Sequence, residues 1–574
     1  MKTIFTTAIV IAMVVFFIMP SKIFAGGNDT LVVYANDASS LDQIINGDTA
    51  HNVFKLVSLD TTYLYLAPIS ARNNLTIIGA LGSNGRPPCI QPGILSNGSL
   101  PQTFLLVKNP SSRVTVKNLY LFGRSFNNTW TGGPAMIISS DSTKLYMDNI
   151  VVDEYHGNLI VYSALMDDFF ITNCKFRNSV WPANWTSPGV IRAQYPTQNP
   201  VDTVIMDYNT FFCYESNGIA TGHNNPQSYM EFNHNTMIYN FEFPIGTDVQ
   251  YADNIKIENN IFYGVYAGAV KYSKYHAYYY QKGFAPVSCI QFDTLSLANA
   301  KLFDPADSSN PNVILLAEAK RVAVVNNNLY YQPQAITDFW TAWNDTAHVD
   351  SLITPMWMNP ETQNMFNDKK TWPGFEQSGN LVNVDPIFGT SFQSVLQSNS
   401  TPGVVSLQQF ITEVQTGVIK TDEWGYQKET VTGNNWIPAW PLPESQDMQY
   451  TNTALKTAST DGKPLGDPGW FTGGYTGVKE VQSQLPNKFE LYQSYPNPFN
   501  PSTIIKFTLA KAGNVSLKVY NIMGQLVKTI VNNVYKNQGD YNYQVTMDNL
   551  SSGVYFYTLT QGEQQMTKKM ILLK

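Results

Sequence analysis

Val114-Thr-Val-Lys-Asn118-Leu-Tyr-Leu returns as Leu145-Tyr-Met-Asp-Asn149-Ile-Val-Val and again as Phe169-Phe-Ile-Thr-Asn173-Cys-Lys-Phe. The shared pattern is apolar, any, apolar, polar, Asn or a substitute, then further apolar residues. It recurs in Met206-Asp-Tyr-Asn209-Thr-Phe-Phe, Phe232-Asn-His-Asn235-Thr-Met-Ile, Ile255-Lys-Ile-Glu-Asn259-Asn-Ile-Phe and Val325-Asn-Asn-Asn328-Leu-Tyr. The aligned position steps through 118, 149, 173, 208, 234 and 259, a period of about 25 residues with loop insertions. Period-2 alternation at such a spacing predicts a solenoid of strands in which each turn stacks on the last. An Asn at the bend hydrogen-bonds to its copy one coil away, so a column of them forms a ladder. The runs are β-branched and aromatic and carry no helical half-repeat, which excludes a leucine-rich horseshoe.

The repeat region resembles the right-handed parallel β-helix of the pectate lyase superfamily. That resemblance implies a fold and assigns no reaction. The Asn-Thr-Asp, Asp-Asp and Gly-His-Gly set of polygalacturonases is not present: Asp167-Asp168 opens a strand, and Thr221-Gly-His223-Asn lacks the second Gly. The Trp-Ile-Asp-His and Arg-x-x-Pro-x-x-Arg signatures of the main pectate lyase family are missing too.

Each coil should hold a further strand after the variable loop that follows the Asn bend. Windows starting at Gly133, His156, Ser187, Glu215, Phe241 and Tyr266 align with a fifth column of Ile137, Ile160, Ile191, Ile219, Ile245 and Val270, read as facing the core. Alternation then turns the sixth column outward, as Ile138, Val161, Arg192, Ala220, Gly246 and Lys271. The eighth column, Ser140, Ser163, Gln194, Gly222, Asp248 and Ser273, faces out with it, and His223 and Lys274 sit at the strand ends. A one-residue slip would turn every outward side chain inward, and burying unpartnered cations costs several kcal/mol, which selects this register. At ~4.8 Å per coil, Arg192 and Lys271 would stand about 14 Å apart along the axis, over a groove floored by Ala220 and Gly246.

The same face carries the cleft in β-helix lyases and hydrolases, and the resemblance extends candidate roles to it. In a uronate lyase a cation neutralises the carboxylate, here Arg192 or Lys271, and a base removes the acidified proton, here His223 or Lys274. Gln194, Asp248 and Ser273 would contact substrate. Asp248 would also be the residue to hold a calcium ion or to orient a cation. A hydrolase reading uses Asp248 as acid but finds no second carboxylate in register. Two further readings stay open: glycan binding without chemistry, and a solvated sheet face whose charges oppose edge-to-edge association. The chain is then either a protein that binds or acts on acidic polysaccharide, or a non-catalytic adhesin or structural rod.

Residues 275–320 interrupt the repeat beside this face. The Trp- and Pro-rich stretch from Phe339-Trp340 to Trp440 reads as a cap on the solenoid end. Asp461-Gly-Lys-Pro-Leu-Gly-Asp-Pro-Gly-Trp470 resembles the end segment of Bacteroidetes β-helix proteins.

The two termini read as addresses. Lys2, the apolar run Ile4 to Met19 and Ala25 describe a secretory signal peptide over residues 1–25, and no later segment has the length of a membrane span. From Leu485 short alternating runs are punctuated by Pro, Gly and Asn turns, the pattern of a small β-sandwich. Tyr495-Pro-Asn-Pro-Phe-Asn-Pro501, Val519-Tyr-Asn-Ile-Met-Gly-Gln525, Leu550-Ser-Ser-Gly-Val-Tyr-Phe556 and Lys568-Lys-Met-Ile-Leu-Leu-Lys574 carry a resemblance to the type A C-terminal sorting domain of the type IX secretion system. The expected order is therefore a signal peptide (1–25), a β-helix with its capping segment (27–470), a linker (471–485) and a sorting sandwich (486–574) handled by that machinery, which delivers the chain to the cell surface or outside. The whole is all-β, a right-handed parallel β-helix solenoid followed by a small C-terminal β-sandwich.

Composition agrees. Charged residues are only 14% of the 574, while Tyr (33) and Phe (31) are abundant. A net charge of −7 without a basic stripe makes nucleic acid a poor partner. Cys89, Cys174, Cys213 and Cys289 lack metal-type spacing. Cys174 and Cys213 fall in neighbouring repeats, which leaves a disulfide or buried thiols open.

Overall fold

A computed structural model describes residues 29–573 apart from 36, 60, 128, 165–166, 180–188, 194–200, 215–218, 221–226, 242–244, 246–251, 266–269, 272–287, 291, 293–320, 346–351, 354, 391, 393–403, 417–422, 425–430, 433–434, 437–439, 443–444, 446, 472–488, 495–496, 511–512, 537–538, 549 and 563. The chain divides into two compact units, Met1–Tyr475 and Thr476–Lys574.

The first unit is a parallel β-helix with three strand-lined faces. The first face runs in parallel register from Thr30–Val33 through Val53–Leu56 and Asn74–Gly79 to Gly374–Ser378. The second face stacks the segments that follow each bend, from Tyr63–Tyr65 to Leu381–Val382. The third is a six-stranded parallel ladder, Ile69–Ala71, Leu105–Val107, Met136–Ile138, Ile160–Tyr162, Ile191–Ala193 and Ile219–Ala220. Inward residues of all three faces, among them Phe54, Ile77, Val116, Met147, Ile171, Met206, Phe232 and Ile257, form one continuous apolar core.

The bend between first and second faces sets the coil. Asn118, Asn149, Asn173, Tyr208, His234, Asn259 and Asn327 all have φ between 52° and 60°, the left-handed region. Such a residue turns the chain sharply between two extended segments, and Asn tolerates this conformation better than most side chains. The column aligned from sequence is thus the column of left-handed residues. The hydrogen-bonded ladder lies one residue further on. Asn209, Asn235, Asn260 and Asn328 are fully buried; Asn209 Oδ1 accepts the Cys174 N–H at 2.9 Å, and from Asn235 on each side-chain oxygen accepts both the backbone N–H and the Nδ2 of its counterpart one coil earlier. Asn235 Oδ1 takes Asn209 N and Nδ2 at 3.0 Å each, Asn260 Oδ1 takes those of Asn235 at 2.8 and 3.1 Å, and Asn328 Oδ1 takes those of Asn260 at 3.1 and 2.8 Å. Asn380 receives the last pair. Each Nδ2 also donates to a carbonyl of the previous coil, Ile171, Met206, Phe232 and Ile257 in turn. Before Asn209 the same position holds Leu119, Ile150 and Cys174, so the column changes from apolar to amide along the axis.

Packing differs from the expected arrangement in two places and decides between the two open states of the cysteines. In the window from Gly133, Met136 and not Ile137 pairs with Ile160, so Met136 and Ile138 face the core and Ile137 faces out. Both neighbouring residues are Ile, and sequence alternation had no polar marker to fix the register there. Cys174 and Cys213 form no disulfide; all four cysteines are buried thiols. Cys174 occupies the ladder position and donates to the Thr172 carbonyl at 3.2 Å, whereas Cys213 lies at the far end of its strand, in a second core. Trp340 and Trp343, on helix Gln334–Asn344, pack against the outer side of the second face rather than over the solenoid end.

That second core buries the second face on both sides. Phe212, Ile238, Ile261, Tyr263 and Leu329 point outward into Trp340, Phe410, Tyr450 and Leu465. Residues 458–470 then run along the bend column as a strap. Asn327 donates to Ala458 O, Asn259 exchanges hydrogen bonds with Thr460, and His234 meets Gly466 O at 3.0 Å and Asp461 at 3.2 Å. Buried Asp467 accepts from Lys175 and from Thr210 Oγ1, and Trp470 Nε1 donates to Thr210 Oγ1 at 2.7 Å. At the N-terminal end, helix Leu41–Gly47 drives Leu41 and Ile45 into the main core.

The second unit is an antiparallel sandwich. One sheet holds Glu490–Leu491, Ser502–Leu509 and Gly539–Thr546. The other orders Leu526–Lys536, Gly513–Asn521, Gly553–Gln561 and Gln564–Leu572. Ile505, Phe507, Val515, Leu517, Val519, Tyr557, Leu559 and Met570 fill the space between them.

Asn260→Ala would leave the backbone N–H of Asn235 buried without its acceptor and take from Asn235 Nδ2 one of the oxygens that it donates to. It should destabilise the β-helix by about 2–3 kcal/mol in chemical denaturation, and Asn380→Ala, at the half-buried last rung, by clearly less.

Candidate functional site

The three faces of the β-helix are not equally available. The second is covered. The first is exposed but its side chains satisfy one another: Lys117 pairs with Asp148 at 2.8 Å, Lys144 with Asp168 at 2.9 Å, and Lys256 with Glu231 and Glu258 at 3.0 and 3.1 Å. Tyr146 and Phe170 stack at 4.6 Å, and the Arg113 guanidinium covers Tyr146 at 4.1 Å, so these ring faces are spent within the sheet. The third face remains. Its outward row is Ser70, Leu106, Ile137, Val161 and Arg192, in register from coil to coil. First-face and second-face strands are joined by a bend of one or two residues in most coils, whereas longer connections enter and leave the third face, such as 180–190 before Ile191 and 194–200 after Ala193.

Arg192 is partly exposed on the strand Ile191–Ala193, whose backbone pairs with Val161 and Ala220, and Ile191 is buried. Lys271 is described in backbone only; Val270–Lys271 pairs antiparallel with Leu352–Ile353, a separate two-stranded ladder. Gln194, His223, Asp248, Ser273 and Lys274 lie outside the described residues. Among the described residues no group of three or more His, Cys, Asp or Glu side chains is arranged to hold a metal ion.

The structure also assembles a charged corner where the second face turns towards the third. Asp153 and Arg177, in register on adjacent coils, form an ion pair that is almost fully buried. Tyr120 donates to Asp153 at 2.6 Å. One position on, Glu154 takes Arg124 at 3.0 Å and Trp130 Nε1 at 3.4 Å. Trp130 is sandwiched by the Arg124 guanidinium at 4.3 Å and the His156 ring at 4.9 Å. Buried pairs of this kind add little net stability but strongly penalise the loss of one partner, so they hold the entry to the third face in one geometry. Sequence reading missed them. The only signal was Asp153-Glu154 closing an apolar run at the register of Arg177-Asn178.

At the opposite edge, in the coil of Val161, Asp167 opens the next first-face strand and is fully buried. Its Oδ1 accepts the Thr143 N–H at 2.8 Å, and Oδ2 has no hydrogen-bond partner among the described residues. Burial above all, with Asp141 and Asp168 adding repulsion, raises this carboxyl to about 8. It is therefore protonated at neutral pH.

In the second unit the sequence motifs act together on the last strand. Phe499 N donates to Ile571 O, Leu573 N donates to Phe499 O, and Asn497 Oδ1 accepts the Ile571 N–H at 2.8 Å. Gln493 Nε2 donates to Lys569 O at 2.7 Å. Tyr557, from the third motif's strand, donates to Tyr492 O and accepts from Ser494 N, both at 2.7 Å. The Pro-Asn-Pro-Phe motif is thus a clamp on the C-terminal strand. Residues 493–573 match the family model described as a secretion system C-terminal sorting domain. The curated proteins and the solved structures return no match to the chain. The sorting domain sends the protein through the type IX secretion system to the cell surface or outside. No helix of the described residues is long and apolar enough to cross a membrane.

With a folded value near 8 and an unfolded value near 3.8, Asp167 contributes stability that is complete below about pH 4 and lost as pH rises through 8. Asp167→Asn should flatten that part of the pH–stability curve, as measured by thermal unfolding between pH 4 and 9.

Proposed function

We propose that this is a secreted or surface-displayed β-helix protein that binds acidic polysaccharide along its third face. The observation that carries the reading is that, among the described residues, this face sets an in-register apolar row, Leu106, Ile137 and Val161, beside a partly exposed cation, Arg192. Leu106, Ile137 and Val161 offer a flat apolar strip for sugar C–H surfaces, and Arg192 offers a planar fork for a uronate or sulfate group. Backbone ladders fix the row, so binding costs little ordering of the protein. A solenoid outside the cell is suited to hold a polymer in line with its axis, several residues per chain.

The catalytic extension of this reading adds Lys271 as a second cation and His223 or Lys274 as the base, with Gln194, Asp248 and Ser273 contacting sugar and Asp248 as the residue that would bring in calcium. Its support is the alignment of their windows with that of Arg192. Residues 1–25 complete the proposal as the signal peptide that takes the chain across the inner membrane before the sorting domain acts.

A glycan screen on the secreted protein tests the reading. Arg192→Ala should weaken retention of acidic glycans about tenfold to a hundredfold and leave neutral glycans nearly unchanged. Equal loss for both would show that the charge does not read the ligand. Unsaturated products absorbing in the near ultraviolet would establish a lyase, new reducing ends without them a hydrolase, and retention without turnover a binding protein. Separately, removal of 486–574 should abolish export, read as the share of protein reaching the medium and the cell surface.

A further inference from the structure

The sorting domain carries an apolar patch that its own fold does not use. Among the described residues of the whole chain, the two most exposed large apolar side chains are Ile522 at 72% and Met523 at 73%. Both sit in the turn joining Gly513–Asn521 to Leu526–Lys536. The turn is tightly held. Asn521 Oδ1 accepts the N–H groups of Met523 and Gln525, each at 3.0 Å, Asn521 Nδ2 donates to Gln525 Oε1 at 2.8 Å, and Gly524 supplies the left-handed residue at φ 76°. The two side chains are therefore displayed on a rigid support.

The patch continues onto the solvent side of the four-stranded sheet. Leu526, Tyr520, Phe556 and Lys569 are successive cross-strand partners, with Leu526 51% and Phe556 37% exposed. The next row on that side is Lys518, Thr558 and Thr567, and the row beyond is Ser516, Thr560 and Gln565. The face is thus apolar at the turn end and polar over the rest. Alternation explains why the sheet has an outer face; it does not explain five large apolar groups gathered at one end of it, where each exposes surface that water disfavours. Residues 486–574 also hold nine lysines against four acidic residues in a chain whose net charge is −7, and Lys518 and Lys569 border the patch.

We propose that Tyr520, Ile522, Met523, Leu526 and Phe556 form the surface by which the sorting domain docks on the type IX machinery, into an apolar recess with an acidic rim. The occupant follows from the domain's role: it exists to be received by that machinery, the patch lies within the matched residues, and its rim is basic. Ile522 and Met523 would be the anchors, since a preordered turn enters a recess without paying loop-ordering entropy.

The test is export of the full-length protein from its host, measured as protein at the surface and in the medium against protein retained in the periplasm. Ile522→Ser with Met523→Ser should cut the exported share about tenfold, as expected for losing two buried anchors, with thermal unfolding of the purified chain unchanged. Lys518→Glu with Lys569→Glu should also reduce export. Ile522→Leu with Met523→Leu should retain it, as should Thr560→Ala with Gln565→Ala at the polar end of the same face. Normal export of the serine pair, with export still lost on removal of 486–574, overturns the docking surface and leaves the sorting role intact. Patch-dependent sedimentation of the purified chain with anionic phospholipid vesicles would assign the patch to lipid and overturn the proposal. Patch-dependent dimerisation in analytical ultracentrifugation would assign it to a second copy, with the same consequence.

Discussion

From Asn118 onward the coils of the β-helix turn on one constraint, a left-handed residue between two extended segments. For most side chains that conformation costs about 1 kcal/mol, and the chain meets it repeatedly with Asn. Once the bend is made, the next residue points into the core directly above its counterpart. In the later coils that residue is also Asn, and a buried amide has two donors and an acceptor to satisfy. Stacking satisfies them together, because from Asn235 on each oxygen takes two N–H groups from the coil before, and each Nδ2 of Asn209, Asn235, Asn260 and Asn328 reaches back to a carbonyl. The ladder is cooperative in the strict sense that no rung is complete without its neighbour. Where the bend residue is Tyr208 or His234 instead of Asn, the strap of 458–470 supplies partners from outside: Lys463 lies over the Tyr208 ring and His234 is held between Gly466 and Asp461.

That strap and the helices before it decide which surface is left for function. A solenoid with three bare faces offers a ligand three choices. Here the outward side of the second face is as apolar as its inward side, and helices Gln334–Asn344 and Leu407–Thr416 cover it. The first face is neutralised by its own ion pairs and by the Arg113, Tyr146 and Phe170 stack. The third face keeps an apolar row and a cation on a backbone that cannot rearrange, with the buried Asp153–Arg177 and Arg124–Glu154 pairs bracing its entry. A stiff, flat and mildly cationic strip suits a long polymer better than a small molecule, which would need enclosure.

The second unit follows a different economy. Its motifs build a sandwich in which the N-terminal Pro-Asn-Pro-Phe segment and Tyr557 pin the last strand, so that the C-terminal Lys568 to Leu573 run is ordered sheet and not a trailing tail. A signal carried by a folded domain presents a surface rather than a peptide, and the surface this domain presents most strongly is the apolar end of its four-stranded sheet.

The repeat, the bend column, the β-sandwich and the export route are all legible in the amino-acid sequence. Each is set by local rules: alternation for the strands, left-handed Asn for the bend, and a set of ordered motifs for the sorting domain. The sequence could not place Ile137, since neighbouring isoleucines carry no inside or outside label, nor separate a disulfide from two thiols at Cys174 and Cys213. Not legible there are the packing of Trp340 and Trp343 on a flank, the meeting of Asp153 with Arg177 and of Glu154 with Arg124, and the reach of Asp467 to Lys175 and Thr210. Those contacts join residues from one coil to nearly three hundred positions apart, and their energy comes from burial and pairing that no local pattern encodes.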